Sequence, residues 1–306
     1  MLAVLLALAV LVGLAIGLLG GGGSILSLPV LVYVGGIDAK IAIPMGLVIV
    51  GATSIAAMVP HAMAGNVRWR TGFTFGVASM VGAYLGGVAA RWFSGGTLLA
   101  LFAVLMTVSA LAMLSGQRPK AAETHRVSLA PKSLSPGAKG GSKLSPRAKA
   151  ALVVVEGFVV GCLTGLVGAG GGFLIVPTLV VLGGLSMRSA IGTSVLIISM
   201  KSFAGAAGHL AHVDLPWSLT AGFTAIAIVA SWFGAKLTNR VPHAQLRRGF
   251  GVFVLSMGGV MIAQETGLFA LMRERVWLAG PVGIALLSFV WWIARAIRPA
   301  PSTAGD

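Results

Sequence analysis

A lysine stands where a lysine is costly. Lys201 lies in the middle of the apolar run "GTSVLIISMKSFAGAAGHL" (Gly192–Leu210). An ammonium at the centre of a bilayer costs roughly 2.5–3.5 kcal/mol on insertion scales, so such a group faces the protein interior or a wet cavity. There it can hold an anion or take part in coupling. The plainer alternative is a structural pair with Glu156, the one carboxylate well inside an apolar run. Glu156 follows Lys149 by seven residues, which fits either an interfacial position near a helix start or a proton relay.

Hydroxyls and imidazoles surround the level of Lys201 in the sequence. Thr53 matches Lys201 at an offset of 148 residues, Ser54 and Ser202 flank that level, and Thr193 and Ser194 lie two turns earlier. Hydroxyls in membrane helices often bond back to their own backbone, so each is a substrate ligand or a structural group. His61 and His209 lie about two turns beyond Ser54 and Ser202. They are candidates for proton coupling, or packed residues at helix ends.

Two glycine clusters complete the set. "GLLGGGGSILSLP" (Gly17–Pro29) and "GLVGAGGGFLIVP" (Gly165–Pro177) stand 148 residues apart. Glycines that break a helix inside a membrane are tolerated where protein buries the backbone or where it lines a cavity. The next helix then starts at Ser24 and at Phe173, with free N–H groups and a partial positive charge at its N-terminus. Two such ends facing each other near the midplane form a site for a small anion, with Gly22, Gly23, Ser24, Gly170, Gly171 and Gly172 as its backbone. The competing role for these glycines is tight helix packing.

The elements that must carry these residues are membrane helices. The chain of 306 residues is 57% hydrophobic and 9% charged, with a mean hydropathy of +0.97. A soluble domain carries about a quarter charged residues. The expected fold is an all-α polytopic membrane protein with roughly 9–11 membrane segments, each full span taking ~20 apolar residues. Apolar stretches fall near 2–19, 24–35, 41–63, 70–90, 97–115, 150–168, 173–184, 189–211, 216–238, 249–264 and 276–294. Residues 2–19 have no basic leader before them and match an internal segment, so they are read as a retained helix rather than a signal peptide. The net charge of +15 does not point to nucleic acid, because eight of the 22 Lys and Arg sit in one polar stretch and most others at helix ends. Cys162 is the single cysteine, which rules out an internal disulfide.

The chain divides into a first transmembrane repeat (1–116), a disordered basic linker (117–149), a second repeat (150–265) and an extra C-terminal helix with a short tail (266–306). The linker is rich in Pro, Ser, Ala and Gly and has no apolar face to bury. Its lysines also suit anionic lipid. With a shift of 148 and no gap, 25 of the 92 positions from Gly13 to Val104 are identical. They include Pro29/Pro177, Ser54/Ser202, His61/His209 and Trp69/Trp217. This is an internal duplication, a common construction of transporters.

Charge orients the copies. Arg68 and Arg70 follow the 41–63 stretch, whereas the matching second-half loop has Pro216 and Ser218. With a cytoplasmic linker and inverted repeats, 17 Lys/Arg lie inside and four outside, Lys201 being left in the membrane; parallel repeats split them 12 to 9. The positive-inside rule favours inversion. Inversion needs an odd number of crossings per copy. The fifth comes from the short segments after the glycines, which are half-helices or partly re-entrant pieces, since twelve residues rise only ~18 Å.

The glycine segments, the "IGTSVLIISMKSFAGAAGHL" helix and the "GNVRW" turn (Gly65–Trp69) resemble the TauE/SafE family of sulfite exporters and sulfur-anion permeases. The resemblance covers nearly all of the chain except the linker and last helix. It implies a multi-pass transporter, an exporter in the family's named role, of sulfite, thiosulfate, sulfonates or related organic acids in a bacterial inner (plasma) membrane. It brings no set of binding residues with it. The long basic linker departs from the short connection usual in the family.

The function expected is therefore secondary transport of a small sulfur-containing anion, without a cofactor, coupled to protons, sodium or the membrane potential. The partners are the anion, membrane lipid and, compatibly with the sequence, a second copy in a homodimer. A metal-ion permease using His61, His209, His212, Cys162 and methionines is the alternative. It lacks the carboxylates that hard cations need and any H-x₃₋₅-H or C-x-x-C spacing, and Lys201 repels cations. No metal site is expected. An enzyme is disfavoured by the absence of HExxH, GxSxG and paired intramembrane acids.

Overall fold

The computed structural model describes residues 2–114, 146–168, 170–181 and 184–237, with single positions at 255, 258, 259 and 261. Among them every regular element is helical. Helix α1 (Leu2–Leu19) is followed by a 3-10 helix (Gly20–Leu26), a one-turn α2 (Ser27–Pro29) and a π-helix (Val30–Val34). Then come α3 (Ala39–Met63), α4 (Trp69–Ala89) with a 3-10 turn (Ala90–Trp92), and α5 (Gly95–Leu114). The second half has α6 (Pro146–Val167), α7 (Gly172–Val181), α8 (Met187–Leu210) and α9 (Trp217–Leu237). Four of these, α3, α4, α8 and α9, are long and apolar enough to cross a membrane, and shorter apolar helices accompany them.

These elements fall within a few residues of the expected apolar stretches, with three differences. Helix α6 starts at Pro146, four residues inside the expected linker. Proline suits the first position of a helix, where its missing N–H has no partner to lose. The first glycine cluster does not leave a gap before a helix at Ser24; the glycines themselves form the 3-10 helix. There the chain doubles back, since a Cβ on Gly23 would stand 2.1 Å from the carbonyl carbon of Ala15 in α1. In the second half α7 opens at Gly172, one residue early, after bends at Gly168 (φ 73°) and Gly171 (φ 65°). Most of the linker and the 276–294 stretch lie outside the described residues, as does all but four positions of 249–264.

Local signals recur at the 148-residue offset. Gly36 (φ 64°) and Gly184 (φ 61°) turn the chain in a left-handed conformation that glycine adopts without strain. Two residues later Asp38 accepts the Lys40 N–H (2.8 Å) and Ser186 accepts the Ser189 N–H (3.3 Å), capping α3 and α8.

Packing repeats the same offset. On α6, a Cβ at Gly161 would stand 2.3 Å from the Ser79 carbonyl of α4, and one at Gly165 would stand 2.2 Å from that of Ala83. Their counterparts on α1, Gly13 and Gly17, sit on Ala227 (2.3 Å) and Ser231 (2.0 Å) of α9. Gly86 against Cys162 and Gly234 against Leu14 form the reciprocal pair. Small residues four apart let these backbones approach closely, which is how helices associate without a hydrophobic driving force. Helix α1 of one half thus packs on α9 of the other, and α6 on α4.

The long central helices α3 and α8 run in opposite directions. Thr193, near the start of α8, accepts the N–H of Arg68 (3.0 Å), just past the end of α3. Lys40 at the start of α3 shares a pocket with His209 and His212 at the end of α8. Phe73, Val77 and Val81 form an exposed apolar ridge at four-residue spacing on α4, which suits lipid. Trp69 and Trp217 are about half exposed at the starts of α4 and α9, as belt residues are.

Candidate functional site

The two glycine segments come together in the interior. A Cβ on Gly170 would stand 2.3 Å from Cβ of Ser24, so the second cluster lies directly against the residue that follows the first. Ser24 is buried. Gly22 lies within the 3-10 helix. Gly23 faces Ala15 and Ile16 of α1 rather than open space.

Lys201 lies beside this junction and is 1% exposed. Its Nζ donates to Oγ1 of Thr164 at 2.5 Å. The same ammonium lies where Gly171 has no side chain: a Cβ there would stand 2.7 Å from Nζ and 2.5 Å from Cγ2 of Thr164. Glycine is required at this position twice over, by its positive φ and by the lysine. Thr164 is held in turn, donating to the Val160 carbonyl at 2.7 Å. Sequence reasoning missed Thr164, since a threonine one residue before the "GLVGAGGGF" segment looks like ordinary helix.

The electrostatics of this corner are one-sided. The Gly171 carbonyl accepts the N–H groups of Leu174 (3.0 Å) and Ile175 (3.1 Å), so Gly171 is the cap residue immediately before α7. The first N–H groups of a helix point back from its N-terminus, and its dipole is positive there. A buried ammonium therefore sits against the positive end of a ten-residue helix. The expected alternative partner does not reach it. The Glu156 carboxylate is engaged elsewhere, with Oε1 accepting from Thr178 of α7 at 2.9 Å, and its Oε2 is buried without a partner.

The hydroxyls divide into two groups. Thr53 bonds back to the Ile49 carbonyl, and Ser194 to that of Ile191 at 2.8 Å. Thr193 is spent on Arg68. These three serve the backbone. Ser54 and Ser202, counterparts across the offset, are fully buried and have no hydrogen-bond partner for Oγ. Buried polar groups are nearly always satisfied, so a pair of orphans calls for a ligand or water.

The two histidines sit in matching places. His209 Nε2 lies 2.8 Å from the Gly165 carbonyl, which makes Nε2 the protonated nitrogen. His61 is directed at the backbone of Gly17, the counterpart of Gly165, but its Nε2 lacks a full hydrogen bond. Both are buried. Among the described residues no three of His, Cys, Asp and Glu come together as metal ligands.

The family model "Sulfite exporter TauE/SafE" matches residues 5–261. A probable membrane transporter of Xylella fastidiosa (strain 9a5c) is 33% identical over 251 residues, covering 81% of this chain and 89% of its own. One from Methanocaldococcus jannaschii is 27% identical over 288 residues, covering 88% and 96%. The probable membrane transporter YunE of Bacillus subtilis is 26% identical over 243 residues, covering 76% and 86%. No solved structure matches the chain.

Proposed function

The chain belongs to the TauE/SafE sulfite exporter family of membrane transporters, and we propose that it carries a small sulfur-containing oxyanion, sulfite, thiosulfate or an organosulfonate, out across a bacterial inner membrane by secondary transport. One observation carries this reading. The Lys201 ammonium is buried against the N-terminus of α7 and bonded to a neutral threonine, with no carboxylate paired to it among the described residues. Two positive ends without a counter-charge are unfavourable when empty and favourable around an anion. Gly170, Gly171, Gly172, Gly22 and Ser24 supply the close backbone, and Ser54 and Ser202 supply hydroxyls with unused bonding capacity. Glu156, with one carboxylate oxygen unpaired, is the first candidate for proton coupling, ahead of the two histidines.

The experiment is flux in proteoliposomes over a panel of sulfite, thiosulfate, taurine-like sulfonates, sulfate and divalent metal ions, with a pH dye inside. Saturable flux of a sulfur oxyanion that Lys201→Met removes is the expected result. Flux of divalent metal with none of any oxyanion would establish the permease alternative instead.

The transport reading includes two inverted repeats, supported by opposed α3 and α8 and by glycine contacts paired at the 148-residue offset. With the native cysteine replaced (Cys162→Ala), single cysteines at positions 70 and 214 are expected to label from opposite faces, 70 from the cytoplasm and 214 from outside. Labelling of both from one face would sink the inverted arrangement.

A further inference from the structure

Three helix ends on one face bring together cations that the midplane site does not use. Lys40 begins α3, Arg91 lies in the 3-10 turn after α4, and His212 follows the end of α8; all three are exposed. They line one pocket, with Leu98 and the buried His209 among its apolar and rear walls. The two imidazoles are 5.9 Å apart. His209 is pinned by the Gly165 carbonyl at 2.8 Å, six residues before Gly171, so the back of the pocket is tied to the helix that carries Thr164. Arg91 lies 4.5 Å over the Trp92 ring, which holds its guanidinium at the rim. Partial burial, and then the charges of Arg91 and Lys40, pull His212 below the usual imidazole range, so the three groups act on one another. Among the described residues no acidic side chain lines the pocket. The nearest acidic groups stand outside the lining: Asp38, exposed, accepts the Lys40 backbone N–H through Oδ1, and Asp214 is exposed two residues past His212.

The placement has no topological explanation. In the inverted arrangement this is the outward face, where Lys and Arg are scarce. Lys40 and Arg91 are nonetheless there, on separate helices, and converge on one depression.

We propose that this pocket is a docking site for the transported oxyanion at the outward mouth, with Lys40 and Arg91 as its charged contacts, His212 as a hydrogen-bond donor and His209 as the fixed rear wall. The proposal rests on the transport reading above. Converging cations of one sign at a concave, partly apolar mouth raise the local concentration of an anion and speed its capture, and salt screens the effect. The same geometry serves either direction of flux, by capturing the anion on entry or holding it briefly on release.

The test is thiosulfate flux in vesicles of known sidedness at low salt, with the whole chain. K40Q/R91Q is expected to raise half-saturation about fivefold or more for thiosulfate presented on the outward face, an effect of the size steering produces. For thiosulfate on the cytoplasmic face the half-saturation stays at the wild-type value. In molar salt the outward difference closes, and K40R/R91K retains the low outward value. Equal half-saturation on the outward face, or an equal loss from both faces, overturns the docking site. If the unaltered protein moves no sulfur oxyanion, the transport reading fails. The pocket is then judged by equilibrium binding of radiolabelled thiosulfate to purified protein, where equal binding by K40Q/R91Q overturns it. H212A provides the same sided comparison should the double variant not fold, with a smaller outward rise of about twofold expected for loss of an uncharged donor.

Discussion

Lys201→Met is expected to abolish oxyanion flux while leaving the protein folded and no less stable than the original. Methionine keeps the length and apolar stem of the side chain and removes only the ammonium. Thr164, which loses its lysine partner, still donates to the Val160 carbonyl, so no new orphan donor is created. Removing a buried charge from the bilayer interior relieves a cost of roughly 2.5–3.5 kcal/mol on insertion scales, so the melting temperature holds or rises. The bound anion, by contrast, loses its one formal counter-charge. Truncating one partner of a desolvated charge pair costs about 2–5 kcal/mol, or roughly 30-fold or more in affinity. Lys201→Arg keeps the charge but presents a planar fork where a compact ammonium fits, so an intermediate rate is expected. The measurement is sulfite and thiosulfate flux normalised to folded protein, beside a thermal melt. Wild-type flux with unchanged half-saturation in Lys201→Met removes the lysine from the anion site.

Gly171→Ala is expected to be as damaging to flux, for a different reason, and to destabilise as well. The position has φ 65°, and its Cβ would stand 2.5 Å from Thr164 and 2.7 Å from the Lys201 ammonium. The left-handed conformation costs a non-glycine residue about 1–2 kcal/mol. Overpacking a tight interior adds about 1–3 kcal/mol. Gly65→Ala separates the two terms, since Gly65 has φ 68° and nothing within 4 Å of an added Cβ. That variant bears only the backbone cost and is expected to transport. Gly171→Leu carries the same clash with more bulk. The idea fails if Gly171→Ala melts with Gly65→Ala and transports at its rate, because the lysine would then not be held against this backbone.

Much of this protein is decided by properties that a one-dimensional pattern carries. The helices follow from apolar run length, because a membrane leaves backbone polar groups no partner but their own helix. The caps at Asp38 and Ser186 and the bends at Gly36 and Gly184 are local, each needing only its own few residues. The identities at the 148-residue offset are arithmetic on the chain, and Lys201 is conspicuous because a charge in an apolar run needs a reason.

The tertiary structure alone decided which of these residues meet. Ser24 touches Gly170 across 146 residues, and Lys201 bonds Thr164 rather than Glu156. The glycines at 13, 17, 161 and 165 pack helices, while Gly171 makes room for an ammonium, though all are the same letter in the same kind of context. Composition and periodicity state what a residue can do. Which role it takes depends on the neighbour across the fold, and in a membrane, where apolar helix faces are chemically alike, that choice is made by backbone approach at small residues rather than by hydrophobic pattern.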